Sequence, residues 1–404
     1  MARSRNDIAL LFTTRIIRLF AYGGLSVVLA LFLHERGWSG ASIGLLFTLT
    51  LAGDAGITLW ITTVADRIGR RRMLVAGAGL MVLAGAVFAF TGDPVLLAAA
   101  AIVGVISPSG NEIGPFLSIE QAALSQLLPS ERRIGLFAWY NLAGSLATAF
   151  GSLSAGILSR VLQQGGMTPF QSYRVVLLAY AASGIALALL FLLLGPEIEA
   201  IPTTTGERRV LGLHASKGIV FRLSGLFALD AFAGGFVIQS MVAYWFHVRF
   251  GVNEGTLGGI FFGANILAGV SALLAAKIAS RIGLINTMVF THLPSNILLC
   301  LVPLMPGLAS AIAVLLVRFS ISQMDVPTRQ AYTMAVVSPD ERAAASGVTT
   351  IARSIGAAAS PAIAGLMLAT PALLSAPFLV AGGLKIVYDL LLYRSFKEGE
   401  RDRK

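Results

Sequence analysis

The chain has 404 residues, of which 56% are hydrophobic and 12% charged. A soluble domain carries about 25% charged residues, so this chain could not cover its surface in water and needs lipid as its main solvent. The net charge of +10 would suggest nucleic acid for a soluble protein, but here the basic residues gather in short loops between apolar runs, a topology signal, and no nucleic-acid motif is present.

The N-terminal MARSRND precedes an apolar run over 8–33. A secretory core is only about 7–15 residues, so this run is expected to be a retained first span. Further runs of spanning length follow near 40–65, 73–91, 95–122, 134–160, 173–194, 218–247, 256–279, 287–304, 308–333, 344–369 and 372–394. Strands are not expected, because an open sheet edge is unsatisfied in lipid and the runs lack barrel alternation. The hydrophilic stretch 195–217 divides the spans six and six. The expected fold is therefore an all-α membrane protein of twelve transmembrane helices in two bundles, 1–194 and 218–404, the second ending in a short cytoplasmic tail. Loop charges (Arg67, Arg70, Arg71, Arg72, Arg132, Arg133, Arg208, Arg209, Arg281, Arg342) fall on one side. They place both termini and the linker in the cytoplasm of an inner-membrane protein.

Two echoes make the bundles pseudo-symmetric. Ala65-Asp66-Arg67-Ile68-Gly69 returns as Ala279-Ser280-Arg281-Ile282-Gly283, and Pro129-Ser130-Glu131-Arg132 returns as Pro339-Asp340-Glu341-Arg342. Each pair occupies an equivalent loop. Same-orientation halves with a site between them are a transporter design.

The loop after the second span, Asp66-Arg67-Ile68-Gly69-Arg70-Arg71-Arg72, resembles the Gly-x-x-x-Asp-Arg-x-Gly-Arg-Arg signature of the major facilitator superfamily. Asp66, Arg67, Gly69, Arg70 and Arg71 match, and Thr62 stands in place of the leading glycine. The resemblance implies twelve helices, alternating access by two rocking halves, and a role for this loop in latching one conformation. Gly151-Ser152-Leu153-Ser154-Ala155-Gly156 and Ser360-Pro361-Ala362-Ile363-Ala364-Gly365 faintly resemble the family's antiporter signature. Close helix packing is the better reading of these small residues.

Ionisable residues at bilayer depth cost about 2.5–3.5 kcal/mol each on insertion scales and need a reason. The family resemblance implies that spans 1, 4, 7 and 10 line the central cavity. Arg18, Glu112, Asp230, Arg318 and Asp325 all fall on those spans. The run Ile106–Pro115 interrupts span 4 with two prolines and two glycines around Asn111 and Glu112, and a broken helix turns backbone groups toward a cavity. Arg18 and Arg318 are candidates to hold an anionic group. Glu112 or Asp230 is a candidate proton carrier. The structural alternative is mutual pairing, for example Arg15 with Glu120 or Arg329 with Asp325. Lys385 and Asp389 read as a local i,i+4 pair on a peripheral helix.

Cys300 is the lone cysteine, and His34, His214, His247 and His292 have no metal spacing; they read as polar residues of loops and helix ends. No metal or cofactor is expected. No GxxxxGK[ST] loop is present, so ATP drive within this chain is not expected. The leading expectation is a monomeric, non-enzymatic secondary transporter of a small solute. It would be coupled to protons, as an exporter or antiporter, or as a carrier of an organic anion. The alternative is a membrane enzyme or sensor on the same scaffold.

Overall fold

The computed structural model describes residues 2–112, 114–128, 130–199, 216–338 and 341–401; the side chains at 2–4, 62, 63, 66, 130–135, 343 and 397–401 stand outside that description. Among the described residues there is no strand. The α-helices run in chain order α1 (Ala2–Glu35), α2 (Gly40–Ile68), α3 (Arg70–Phe90), α4 (Pro94–Val103), α5 (Phe116–Leu127), α6 (Ser130–Gln164), α7 (Pro169–Leu192), α8 (Lys217–Gly235), α9 (Gln239–Phe250), α10 (Glu254–Ile282), α11 (Leu284–Leu301), α12 (Leu308–Phe319), α13 (Asp325–Val336), α14 (Arg342–Leu368) and α15 (Ala376–Arg401).

Ten described segments are long and apolar enough to span a membrane, with α8 and α9 together forming one of them. The two further spans expected from the sequence are the broken ones, α4 with α5 and α12 with α13. Local chemistry sets the helix starts. Asp93 caps α4, accepting from the Val95 and Leu96 amides at 2.7 and 3.2 Å, with Pro94 in the first turn. Thr168 and Gln171 form a capping box on α7. The expected loop 66–72 shrinks to one residue, Gly69. Its φ of +112° closes α2, with its amide donating to Ala65 O, and opens α3 directly. Gly283, at φ +89°, does the same between α10 and α11. Only glycine holds such backbone cheaply, so the sequence echo is also a geometric one.

The chain forms two compact units. The first holds residues 1–203 and 238–265; the second holds 204–237 and 266–404. The chain thus passes from one unit to the other at Val237–Ile238, between α8 and α9.

In the first unit α1 packs on α6 through small residues. A β-carbon on Gly23 would meet the Thr148 carbonyl, and one on Gly151 would meet the Phe20 carbonyl. Ser152 Oγ donates to Gly23 O at 3.0 Å. The Gly151–Gly156 run is therefore a close-packing surface. Substituting Gly151 with valine is expected to abolish stable expression. Fluorescence-detected size-exclusion chromatography checks this, and a wild-type monodisperse peak would refute it. In the second unit α8 packs on α14 in the same way, Gly356 lying against Ala228 and Gly235 against Ala357 and Ser360.

The α9 segment is tied to the first unit by polar contacts. Gln239 Nε2 donates to Ser26 Oγ at 2.7 Å and Ser152 Oγ at 3.2 Å; Ser240 donates from its amide to Pro108 O at 3.0 Å and from Oγ to Ser26 O at 2.8 Å. The second unit's core gathers Leu223, Phe227, Met288, Tyr332, Tyr388 and Leu392.

Candidate functional site

In lipid, every backbone group at a helix break must find a partner inside the protein. The segment between α4 and α5 meets that demand with side chains from three helices, a backbone amide of a fourth and a serine of its own. Tyr180 OH donates to Val105 O, and the Ser240 amide to Pro108 O at 3.0 Å. Thr148 Oγ1 reaches Gly110 O at 3.4 Å, Ser107 Oγ reaches Asn111 O at 2.8 Å, and Asp54 Oδ1 accepts the Gly114 amide at 2.6 Å. Asp54 is thereby a structural cap. Asn111 is exposed and uses its backbone here. The break presents Glu112 to α1.

Arg15 and Arg18, three apart on one face of α1, meet that carboxylate together. Arg15 NH1 lies 2.8 Å from Glu112 Oε2, and Arg18 Nε 2.8 Å from Oε1. Arg18 also grips Glu120 on α5 in a bidentate pair of 2.8 and 2.7 Å. Tyr140 OH on α6 donates to Glu120 as well, and its carbonyl accepts from Arg15 Nε at 2.9 Å. Asn141 Oδ1 is 3.3 Å from Arg15 NH2. Two guanidinium groups thus balance two carboxylates. Glu120 and Arg18 have no exposed side-chain surface, whereas Glu112 keeps 12%, so Glu112 is the accessible acid of the set.

The expected Arg15–Glu120 pair is therefore corrected: Arg15 takes Glu112 and Arg18 takes Glu120. The reason is reach, since Glu120 lies on α5 beside Tyr140 while the break carries Glu112 between both arginines.

The second unit has its own cluster around Asp230 on α8. Lys385 Nζ on α15 lies 2.5 Å from Oδ1. Arg353 NH1 on α14 and Arg329 NH1 on α13 lie 3.0 and 3.2 Å from Oδ2. Arg329 also pairs with Asp325 at 2.7 Å, as the i,i+4 spacing allows. His292 Nε2 on α11 stands 3.9 Å from Asp230 Oδ1, and its Nδ1 is 2.8 Å from Asp389 Oδ1.

Two expectations fail here. Lys385 and Asp389 do not pair with each other or sit on a peripheral face: both are buried, and each reaches inward to a different partner. His292 is no helix-end residue but a buried bridge within α11. Reading the sequence also missed Tyr140, Asn141 and Asn296 as cluster members. The signal available for the α11 pair was His292 and Asn296 at i,i+4 in an otherwise apolar run.

Arg318 differs from the other arginines of these clusters. It ends α12, just before the break Ser320–Met324, and stacks on Phe319 at 4.9 Å. Its buried Nε has no hydrogen-bond partner, and it forms no ion pair among the described residues. The structure thus separates Arg18, whose guanidinium is filled by carboxylates, from Arg318, whose guanidinium is not.

The two clusters share a plan with the signs exchanged. In the first unit α1 supplies the cation Arg18 and α5 the anion Glu120. In the second, α8 supplies the anion Asp230 and α13 the cation Arg329.

The loop after α2 is held by the beginning of the stretch after α7. Glu199 accepts the Arg70 amide at 2.6 Å and the Arg71 amide at 3.3 Å, capping α3 at its positive end. Arg70 NH1 reaches Gln126 Oε1 and Ile198 O, both at 3.1 Å, and Arg71 NH1 reaches Leu194 O at 3.2 Å. Arg67 is exposed. The Asp66 side chain lies outside the described residues, as does linker 200–215. Outside the spans, burial and the neighbouring Arg174 lower the pKa of Arg36.

The family model described as Major Facilitator Superfamily matches residues 11–361. The chain belongs to the major facilitator superfamily. Its activity is membrane transport, and its environment is a lipid bilayer crossed many times. This superfamily member is 31% identical to the uncharacterized membrane protein YJR124C of Saccharomyces cerevisiae, over 96% of this chain and 93% of that one. Among solved structures it resembles the nucleoside transporter NupG, with TM-score 0.74 and 14% identity over 97% of this chain and 99% of that one. It also resembles a bacterial homolog of the human lysosomal transporter Spinster, with TM-score 0.72 and 16% identity over 96% and 95% of the two chains. These structures share the fold of this superfamily member.

Proposed function

We propose that this chain is a proton-coupled secondary transporter of a small organic anion. The observation that carries the anion is Arg318. A guanidinium in a membrane helix needs a counter-ion, and its buried Nε has none among the described residues. Arginine is suited to a planar carboxylate, sulfonate or phosphate group. Supporting the proton is Glu112, which keeps some exposure and bridges Arg15 and Arg18. A proton on Glu112 removes the charge that Arg15 and Arg18 share, leaving Arg18 on Glu120 and Arg15 without its carboxylate, so protonation bears on the contacts of α1 through one side chain.

In this reading the six-helix halves 1–194 and 218–404 rock about the linker, with both termini on the cytoplasmic side of the cell's inner (plasma) membrane. The monomer suffices, and anions leave the cell in exchange for protons. Asp66, Arg67, Gly69, Arg70 and Arg71 latch one conformation. Glu199 supports that role by fixing the start of α3. Asn111 places Glu112 at the break, and Asp230 and Asp325 hold the cations of the second unit.

A proteoliposome counterflow screen with radiolabelled carboxylates, sulfonates, sugars and nucleosides tests the proposal. Counterflow is expected for anionic compounds, with accumulation when a pH gradient is imposed. Arg318→Gln should reduce it roughly tenfold or more, the effect of losing a charge-assisted contact of about 1.5–3 kcal/mol. Transport confined to uncharged solutes, or unchanged by Arg318→Gln, would refute the anion assignment.

A further inference from the structure

The first unit holds two arginines, at the far end of α3 from Gly69, that no acid answers. α3 has 21 residues, about 30 Å of helix and so the thickness of the hydrocarbon core, which sets its last residue, Phe90, at headgroup depth. The end of α1 and the start of α7 meet it there. Arg36, just past α1, donates from NH1 to Thr91 O. Its Cζ lies 4.8 Å from the centre of the Phe32 ring and 5.0 Å from that of Phe170, and those two rings stack at 5.2 Å. Arg174, one turn along α7 from Phe170, stands over the Phe90 ring at 4.8 Å.

The rings orient these guanidinium groups but do not neutralise them. The Nε of each arginine is buried without a hydrogen-bond partner, and neither arginine forms an ion pair among the described residues. The acids at this end are otherwise placed. Asp93 accepts from the Val95 and Leu96 amides as the cap of α4, Glu254 accepts from Tyr173 OH, and Glu35 is exposed. Burial and repulsion from Arg174 lower the pKa of Arg36. The two like charges are thus close enough to oppose each other, and an anion shared by them relieves both terms. The flank beside them is apolar and open, with Phe90 66% and Val95 74% exposed, as suits a surface against lipid.

We infer that Arg36 and Arg174 form a binding site for the phosphate of an anionic phospholipid, at the corner where α1, α3 and α7 end in the headgroup layer. The planar fork of each guanidinium matches phosphate oxygens. A basic pocket between membrane helices at this depth is suited to a lipid head group. The exposed Phe90 and Val95 give the acyl chains apolar contact beside the phosphate, contact that a free phosphate would leave unused. The site is independent of the anion proposed for Arg318, which belongs to the other unit. Lipid binding is read without any transport.

The test uses the full chain purified in detergent, with phosphatidylglycerol, phosphatidylcholine and glycerol phosphate as probes and native mass spectrometry as the readout. Wild type is expected to retain phosphatidylglycerol in preference to phosphatidylcholine, and an equal concentration of glycerol phosphate should not displace it. Arg36→Gln or Arg174→Gln should weaken phosphatidylglycerol binding roughly fivefold, and the two together roughly twenty-fivefold, the effect of losing one or two basic residues at a lipid surface. Arg160→Gln removes an exposed arginine near the end of α6, on the same side of the membrane, and should leave the binding unchanged. A second measurement needs no substitution. Phenylglyoxal labelling of the wild type should fall at Arg36 and Arg174, and stay constant at Arg160, when phosphatidylglycerol is added.

Equal binding by wild type and the double variant overturns the inference. So does a loss with Arg160→Gln as large as with Arg36→Gln, which would make the binding a diffuse surface charge, or labelling of both arginines that is indifferent to the lipid. Displacement by glycerol phosphate at equal concentration overturns the lipid assignment in favour of a soluble phosphate. If the chain binds phosphatidylglycerol as described yet transports only uncharged solutes, the Arg318 reading fails and this site stands.

Discussion

Replacing Glu112 with glutamine is expected to abolish accumulation driven by a pH gradient while counterflow of the same solute persists. The amide keeps the size of the side chain and one acceptor oxygen, so one of the two bonds, to Arg15 at 2.8 Å or to Arg18 at 2.8 Å, survives. The other oxygen becomes an amine facing a guanidinium. Arg18 retains its bidentate grip on Glu120. The lost charge-assisted contact is worth about 1.5–3 kcal/mol, below the typical stability of a folded domain, so the protein should still insert and purify. What disappears is the accessible carboxylate of the α1–α5–α6 cluster. The measurement is uptake in proteoliposomes with and without an imposed pH gradient, alongside counterflow at equal pH. Gradient-driven uptake at the wild-type level in this variant would remove Glu112 from the coupling step.

Alanine at position 230 should cause the larger structural loss. Asp230 is the shared anion of Lys385, Arg353 and Arg329, and it is buried. Removing one partner of a buried pair typically costs about 3–5 kcal/mol, because the remaining charge is left uncompensated. Here three cations are left on α13, α14 and α15. That loss is a large part of the roughly 5–15 kcal/mol that holds a domain together. The expected result is a large fall in melting temperature in detergent, or no monodisperse protein at all. The double variant Asp230→Ala, Lys385→Met should recover part of the loss, since it removes the cation closest to the missing carboxylate. A single variant that melts within a degree or two of wild type would show that the cluster contributes little to stability.

The spans and the first break were legible because their signals are local. Apolar length marks a membrane helix, and Pro108, Gly110, Gly114 and Pro115 mark the interruption around Glu112. The break at Ser320–Met324 carries no glycine or proline. Its amide from Gln323 is met by Ser271 Oγ at 3.3 Å, a partner 52 residues away that local sequence does not announce. The charge-bearing positions could be found because charge is rare in lipid. Their partners could not, because pairing depends on how far each helix is rotated about its axis. Lys385 and Asp389 show the limit. Their i,i+4 spacing is compatible with a local pair, yet α8 and α11 offer closer carboxylate and imidazole groups. Glu199 was invisible for a different reason: it acts on backbone amides, and a carboxylate in a polar stretch has nothing to distinguish it.

The neutral clusters also set a schedule for synthesis. Arg18 emerges 94 residues before Glu112 and 102 before Glu120, and Asp230 emerges 155 residues before Lys385. At translation rates of about 5–20 residues per second, Arg15 and Arg18 wait on the order of 5–20 s for their carboxylates. During that interval α1 is a helix with two unmatched charges on one face. It must stay at the edge of the insertion machinery, or with water beside it, until the fourth span arrives and lets it move fully into the bilayer. This helix is thus among the last of its half to settle.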